Sequence, residues 1–276
     1  MNHSASSRLP AMPAAALPVG RPFSANRGDF WLWHAWMPVV FFTVAIGALE
    51  VLSLDRPFAE AWYFDVHTHH WLGTGAGDWW AHRLLHTGGG WLVRGIGAFA
   101  LGTWLLSFAS ARVRPWRRMA GFITLSMLLS TGIVGGLKEI TNVDCPWDIA
   151  GYGGIQPYIV LFADRPDALA RAQCFPGAHA SSGFALMCFY FALRDRSRRL
   201  ARFALAGAIA VGIAFSIGQE ARGAHFLSHD LTSAAIVWFV LLGVYALLPP
   251  LGPHSRNPAP LLADSPPVPA SGAPEA

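Results

Sequence analysis

The sequence predicts an all-α, polytopic membrane bundle of about six transmembrane helices, and three observations carry that prediction. Hydrophobic residues make up 53% of the 276 and charged residues only 13%, with a mean hydropathy of +0.37, far from the balance of a soluble domain. The apolar residues gather into runs close to the length of about 20 needed to cross roughly 30 Å of hydrocarbon. The arginines concentrate in the connections between alternate runs, the asymmetry that sets the orientation of a membrane protein.

Residues 1–30 are rich in Pro, Ser and Ala and contain no continuous apolar core before Trp31. They read as a disordered cytoplasmic N-terminus rather than a cleaved signal, so the first span, 31–54, is its own insertion signal. Residues 55–88 follow on the outer side. Trp62, Tyr63, Trp71, Trp79 and Trp80 suit a helix lying at the headgroup boundary, where aromatic rings bury one face and keep a polar edge wet. The same stretch holds His67, His69, His70, His82 and His86 with Asp65 and Asp78. His82 and His86 have the i,i+4 spacing of a metal pair, but there is no HExxH pattern and no cysteine among them, so no metal is predicted.

The second and third spans, 89–111 and 119–137, flank Arg112, Arg114, Arg117 and Arg118, which places that turn inside. After an outer segment, 138–176, the fourth span at 177–193 is short and rich in small residues, as helices packed within a bundle are; a four-span reading is the alternative. Arg194, Arg196, Arg198, Arg199 and Arg202 then mark a second inner loop before the fifth and sixth spans, 203–219 and 230–249. One membrane domain, 31–249, is expected, with 250–276 a disordered cytoplasmic tail of Pro, Ala and Ser that lacks the apolar surface to offset ordering entropy. The topology accounts for the net charge of +4. Without stacking platforms beside the basic residues, nucleic-acid binding is not expected.

Three clusters of polar residues fall at the outer ends of predicted spans: Lys138 to Asp148, Phe175 to Ser182 and Gln219 to Asp230. Ionisable groups next to hydrocarbon are costly, so several at one depth point to a functional site. Their residues, Lys138 with Cys145-Pro146, then Pro176-Gly177-Ala178-His179, then Arg222-Gly223-Ala224-His225 with His229-Asp230, resemble the motifs KxxxxxxRP, PSGH and SRxxxxxHxxxD of the type 2 phosphatidic acid phosphatase superfamily. That superfamily also includes vanadium haloperoxidases, and the resemblance, to its membrane lipid phosphatase branch, covers roughly 85–245.

There are departures. Cys145 stands where the family has Arg, Gly177-Ala178 where it has Ser-Gly, so that its Ser is missing, and Gln219 at the usual arginine position of the third motif, with Arg222 one helical turn later. His229 or Asp230 falls at the family's aspartate, depending on one residue of slack, and the choice stays open. The resemblance implies that His225 attacks phosphorus to form a phosphohistidine, oriented by Asp230 or His229. It implies that His179 protonates the departing lipid oxygen, and that Lys138, Arg222 and the backbone at Gly177 hold the phosphate, with no cofactor or metal. The partners implied are a phosphorylated lipid and the membrane. Oligomeric state is not readable.

The function expected is a lipid phosphate or lipid pyrophosphate phosphatase, with a phosphotransferase using the same nucleophile or a non-catalytic lipid-binding protein as alternatives. A vanadate peroxidase would need the missing Arg and Ser. Short loops suit a bacterial inner membrane with the site facing the periplasm. There, Cys145 and Cys174, both just ahead of motif prolines, could pair as a disulfide, while Cys188 reads as inert packing.

Overall fold

The computed structural model describes residues 27–161, 163–248 and 251. The ends expected to be disordered lie outside the described residues, apart from the stretch from Arg27, which is already helical. Helix α1, Arg27–Trp31, runs through a π-helical turn at Leu32–Trp36 into α2, Met37–Val51. Helix α3, Asp55–Trp62, is followed by a two-stranded antiparallel hairpin, β1 Phe64–Asp65 and β2 His70–Trp71, in which Phe64 faces Trp71. A π-helical segment, Trp79–Gly88, continues into α4, Gly89–Ala109; α5 is Arg117–Ile140. Helices α6, Ala178–Phe184, and α7, Cys188–Arg194, join through a tight turn at Ala185–Met187, and α8, Arg198–Glu220, and α9, Leu227–Leu247, complete the bundle.

Among the described residues, five helical stretches are long and apolar enough to cross a membrane: Gly28–Val51, Trp79–Ala109, Arg114–Ile140, Arg198–Glu220 and Leu227–Leu247. The remaining predicted span is helical too, from Ala178 to Arg194, but shorter. It lies at the centre of the bundle against α5, α8 and α9, and small residues permit this. A side chain at Gly212 would meet the Phe184 ring at 2.2 Å, and one at Gly183 would meet Gly212 at 2.9 Å, so α6 and α8 approach as glycine-lined helices do. Phe122, Phe184, Phe191, Val237 and Leu241 fill the interior. Val44, Phe99 and Phe203 instead point outward, 64%, 78% and 64% exposed, which hydrocarbon accommodates and water would oppose by about 25 cal/mol per Å².

The segment 55–88 departs from the expected boundary helix. Trp62 and Trp79 are exposed as expected, but Trp71 turns inward with Phe64 to pack on Ala59, Ile149, Tyr152 and Phe226. The Trp71 indole N–H donates to the Tyr152 carbonyl at 3.2 Å. This second, smaller core outweighs the interfacial preference of its aromatic rings and clamps the connections over one end of the bundle.

The two ends are distinct. Arg196 lies 5.5 Å from the Trp116 ring, and Arg194 sits 4.4 Å over Phe30 and 5.7 Å from Tyr245, so both arginine-rich turns meet at one end. The C-termini of α5 and α8 and the N-termini of α6 and α9, which carry the three motifs, meet at the other.

Candidate functional site

The loop between α8 and α9 is fixed before it presents any side chain. The Gly73 amide donates to the Ala221 carbonyl at 2.7 Å and the Trp147 amide to the Gly223 carbonyl at 2.9 Å. Gly223 has φ +73, and a side chain there would meet the Trp71 ring at 2.4 Å, so both conformation and space require glycine. At the start of α9 the Ser228 amide donates to Asp55 at 3.0 Å and its hydroxyl bonds the same carboxylate. A residue on α3 thereby caps the helix that carries His229 and Asp230, satisfying first-turn donors that would otherwise be orphaned.

His225, His229 and Asp230 are 4%, 3% and 1% exposed. The two imidazoles lie with ring centroids 5.8 Å apart, and neither Nδ1 has a hydrogen-bond partner. Burial, reinforced by His229 and then Lys138, holds the His225 imidazole well below its ordinary range, so it is neutral at neutral pH. The Asp230 carboxylate also has no partner. The Ser216 hydroxyl lies near it but donates to the Gly212 carbonyl at 3.1 Å. Of the two residues expected to orient His225, His229 is the ring neighbour, and Asp230 makes no hydrogen bond to it.

Asp230 packs on the second motif instead. A side chain at Gly177 would lie 2.0 Å from Asp230 Oδ1, so glycine lets the start of α6 approach the start of α9. The Gly177 amide, expected to face phosphate, donates to the His229 carbonyl at 3.3 Å. His179, one turn on, is stacked on Phe215 at 4.4 Å, and its Nε2 bonds the Leu85 carbonyl at 3.1 Å.

Lys138 is half-buried at the end of α5, within electrostatic reach of Asp230, His225 and His229. Arg222 is half-buried in the α8–α9 loop, donates from Nη1 to Gln219 Oε1 at 2.7 Å and has its guanidinium 6.0 Å from the Trp147 ring. Burial lowers its affinity for the proton. The structure thus gathers all the expected phosphate and catalytic side chains at one end of the bundle, with Lys138 and His179 both within electrostatic reach of His225 and Arg222 within reach of His179.

Cys145 and Cys174 are disulfide-bonded with their Cα atoms 5.1 Å apart, the usual separation for such a link. Around the bond, the Cys174 amide donates to the Val143 carbonyl at 3.0 Å and Asn142 Oδ1 accepts from the Ala172 amide at 2.9 Å. Arg165 pairs with buried Asp144. The loop joining the first two motifs is therefore fastened at the position where the family's arginine is missing.

Two residues at this end were not expected from the sequence. The His86 ring lies 4.5 Å from His179, and its Nδ1 is buried without a partner. A side chain at Gly90 would sit 3.7 Å from Arg94 Nη2 and 3.8 Å from His179 Cε1, which places Arg94 beside His179 as well. The available signal for Arg94 was an arginine inside an otherwise apolar span.

The fold and composition define an integral membrane helix bundle. Residues 120–252 match the family model of the PAP2 superfamily, and over that segment the chain is a PAP2 superfamily protein, a membrane protein of the phosphatase type. No curated protein and no solved structure matches the chain.

Proposed function

We propose that the protein is a lipid phosphate or lipid diphosphate phosphatase of a bacterial inner membrane, working through a phosphohistidine at the periplasmic face. The observation that carries this reading is the convergence of Lys138, His179, Arg222 and His225 from separate segments at the end of the bundle opposite the arginine-rich turns. Arginine-rich turns are retained in the cytoplasm, so the opposite end faces out.

In this reading neutral His225 attacks phosphorus, the bond to the lipid oxygen breaks, and His179 supplies the proton that oxygen takes up. Water then cleaves the nitrogen–phosphorus bond, passing a proton back to His179 and releasing phosphate. Lys138 and Arg222 balance charge on the equatorial oxygens. Asp230, bound to neither imidazole, sets the spacing between α6 and α9, and His229 flanks the nucleophile. Since His225 is 4% exposed, a substrate must displace the side chains over it. Gln219 holds Arg222 at the lip, ready to be exchanged for a phosphate oxygen.

The test is phosphate release in detergent with excess chelator across a panel of lipid phosphates. Release by wild type, abolished by His225→Ala and by His179→Ala, is the expected result. Release that survives both substitutions would sink the reading, and transfer of label to an added lipid alcohol in place of water would move it to a phosphotransferase.

A further inference from the structure

Two of the contacts that hold the α8–α9 loop come from the two ends of the disulfide. The Trp147 amide, just past Cys145, donates to the Gly223 carbonyl at 2.9 Å, and Cys174 Sγ itself lies 3.3 Å from the Ala224 carbonyl. Gly223 and Ala224 immediately precede His225, so the bridge ties together both supports of the backbone that presents the nucleophile. The chain leaving Cys174 follows the same histidines. Its carbonyl lies beside His225 and His229, the Phe175 ring is 5.4 Å from the His229 ring, and the Gly177 amide donates to the His229 carbonyl at 3.3 Å.

The side chains expected to orient His225 do not hold it. Both oxygens of Asp230 are buried without a partner, as are Nδ1 of His225 and Nδ1 of His229. An imidazole in that position is aimed by its backbone and the walls around it, and displacement by about 1 Å costs on the order of a hundredfold in rate. The bridge is also within reach of a reductant. Cys174 is 3% exposed, but Cys145 is only partly buried. A thiolate attacking Cys145 Sγ breaks the S–S bond and forms a mixed disulfide there, and Cys174 leaves as the buried thiol. The second thiol of the reductant resolves the mixed disulfide. The pair has then taken up two electrons and two protons, and the dithiol departs as its own disulfide.

We propose that the Cys145–Cys174 disulfide positions His225 for attack, so that turnover requires the oxidised pair and falls when a dithiol reduces it. This rests on the hydrolase reading above and adds a condition to it. Breaking the bond uncouples the contact at Gly223 from the contact at Ala224, and Gly223, with φ +73, is a residue able to take up the change. The bonds from Gly73 to Ala221 and from Ser228 to Asp55 lie on either side of His225 and remain. Reduction therefore slackens the loop without unfolding the bundle.

The experiment treats folded wild type in detergent with dithiothreitol, counts free thiols by mass spectrometry, and follows hydrolysis of phosphatidate and farnesyl diphosphate before reduction, after it and after reoxidation. The assay temperature is set below the melting point of the reduced protein. Exposing all three cysteines is expected to lower kcat about tenfold to a hundredfold while KM holds, and reoxidation restores it. Cys145→Ser and Cys174→Ser should share the lowered kcat and ignore the reductant, whereas Cys188→Ser responds as wild type does. A fully reduced protein that melts earlier but keeps the kcat of the oxidised form would make the bridge a purely structural one and overturn the proposal.

Reactivity of His225 toward diethyl pyrocarbonate, mapped by peptide mass spectrometry, separates this inference from the hydrolase reading. Its rate is expected to rise about tenfold or more on reduction, as local opening of a buried loop allows, while that of exposed His67 stays constant. If wild type hydrolyses neither lipid yet His225 reactivity follows the bridge, the positioning stands and the catalytic reading falls. If hydrolysis is present and neither turnover nor reactivity responds to reduction, only the positioning falls.

Discussion

The two ends of the bundle differ in the buried polar atoms they leave unsatisfied. At the arginine-rich end, Arg117 lies 4.2 Å over Phe108 and donates to Ser107 Oγ at 3.1 Å, while Arg194 lies 4.4 Å over Phe30. The Tyr245 hydroxyl donates to Asp195 at 2.8 Å. Rings, hydroxyls and carbonyls there complete the cations, each contact contributing about 0.5–2 kcal/mol. At the motif end Arg94 lies 5.0 Å over the Trp91 ring and Arg222 donates to Gln219 Oε1 at 2.7 Å, but His225 and His229 each leave a buried Nδ1 unbonded and both oxygens of the Asp230 carboxylate are buried without a partner. A network of rings, hydroxyls and carbonyls holds helices together. An open one is completed by something else, and an anion is the matching chemistry.

The comparison breaks most visibly on substitution. His225→Ala should lower phosphate release by about a thousandfold or more, the scale of losing a covalent nucleophile. Arg194→Ala, at the other end, should leave turnover within a few-fold and lower stability by about 1 kcal/mol. Steady-state kinetics beside a thermal melt separate the two. If Arg194→Ala matched His225→Ala in lost turnover, the division between ends would fail.

A smaller effect is expected for the phosphate clamps. Lys138→Met or Arg222→Gln should each cost about a hundredfold in kcat, roughly 3 kcal/mol, as the loss of a preorganised charge does. Rates within threefold of wild type would show that neither touches the transition state.

The disulfide sharpens the contrast through stability. Cys145 and Cys174 are 29 residues apart in sequence, and closing such a loop restricts the unfolded chain by about 3 kcal/mol. Cys145→Ser should therefore lower the midpoint of unfolding, and non-reducing mass spectrometry of wild type should find one free thiol, Cys188. Two free thiols on Cys145 and Cys174 would remove this fastening from the account.

The pH dependence gives the smallest signal. His225 is held well below its ordinary range by burial, so its neutral, nucleophilic form persists as pH falls through the usual imidazole range near 6.5. The acid limb of kcat/KM that reports the nucleophile should lie below that pH, since kcat/KM titrates the free enzyme. A limb at the ordinary histidine value would mean that His225 is solvated when it reacts.

The spans and the arginine asymmetry were legible because each depends on local composition. The apolar run at 119–137 became α5, Arg117–Ile140, and that at 230–249 became α9, Leu227–Leu247. The motif residues were legible one by one, through spacing. What sequence could not supply was contact between distant segments. Asp55 capping Ser228 spans a separation of 173 residues, and no local pattern marks it. His82 and His86 were visible as a pair at helical spacing, but the neighbour that gives His86 meaning, His179, lies on another helix. Trp71 read as an interfacial aromatic because its inward partners, Tyr152 and Phe226, are far along the chain.

The central claim is that the open end performs phosphoryl transfer through His225. The most direct measurement is rapid quenching of wild type during turnover of a lipid labelled in its terminal phosphate, followed by mapping of any acid-labile, base-stable phosphoryl group. The account expects that label on the peptide containing His225, formed and lost at rates that match turnover. Turnover with no label at His225, or with label on another side chain at a competent rate, would contradict it.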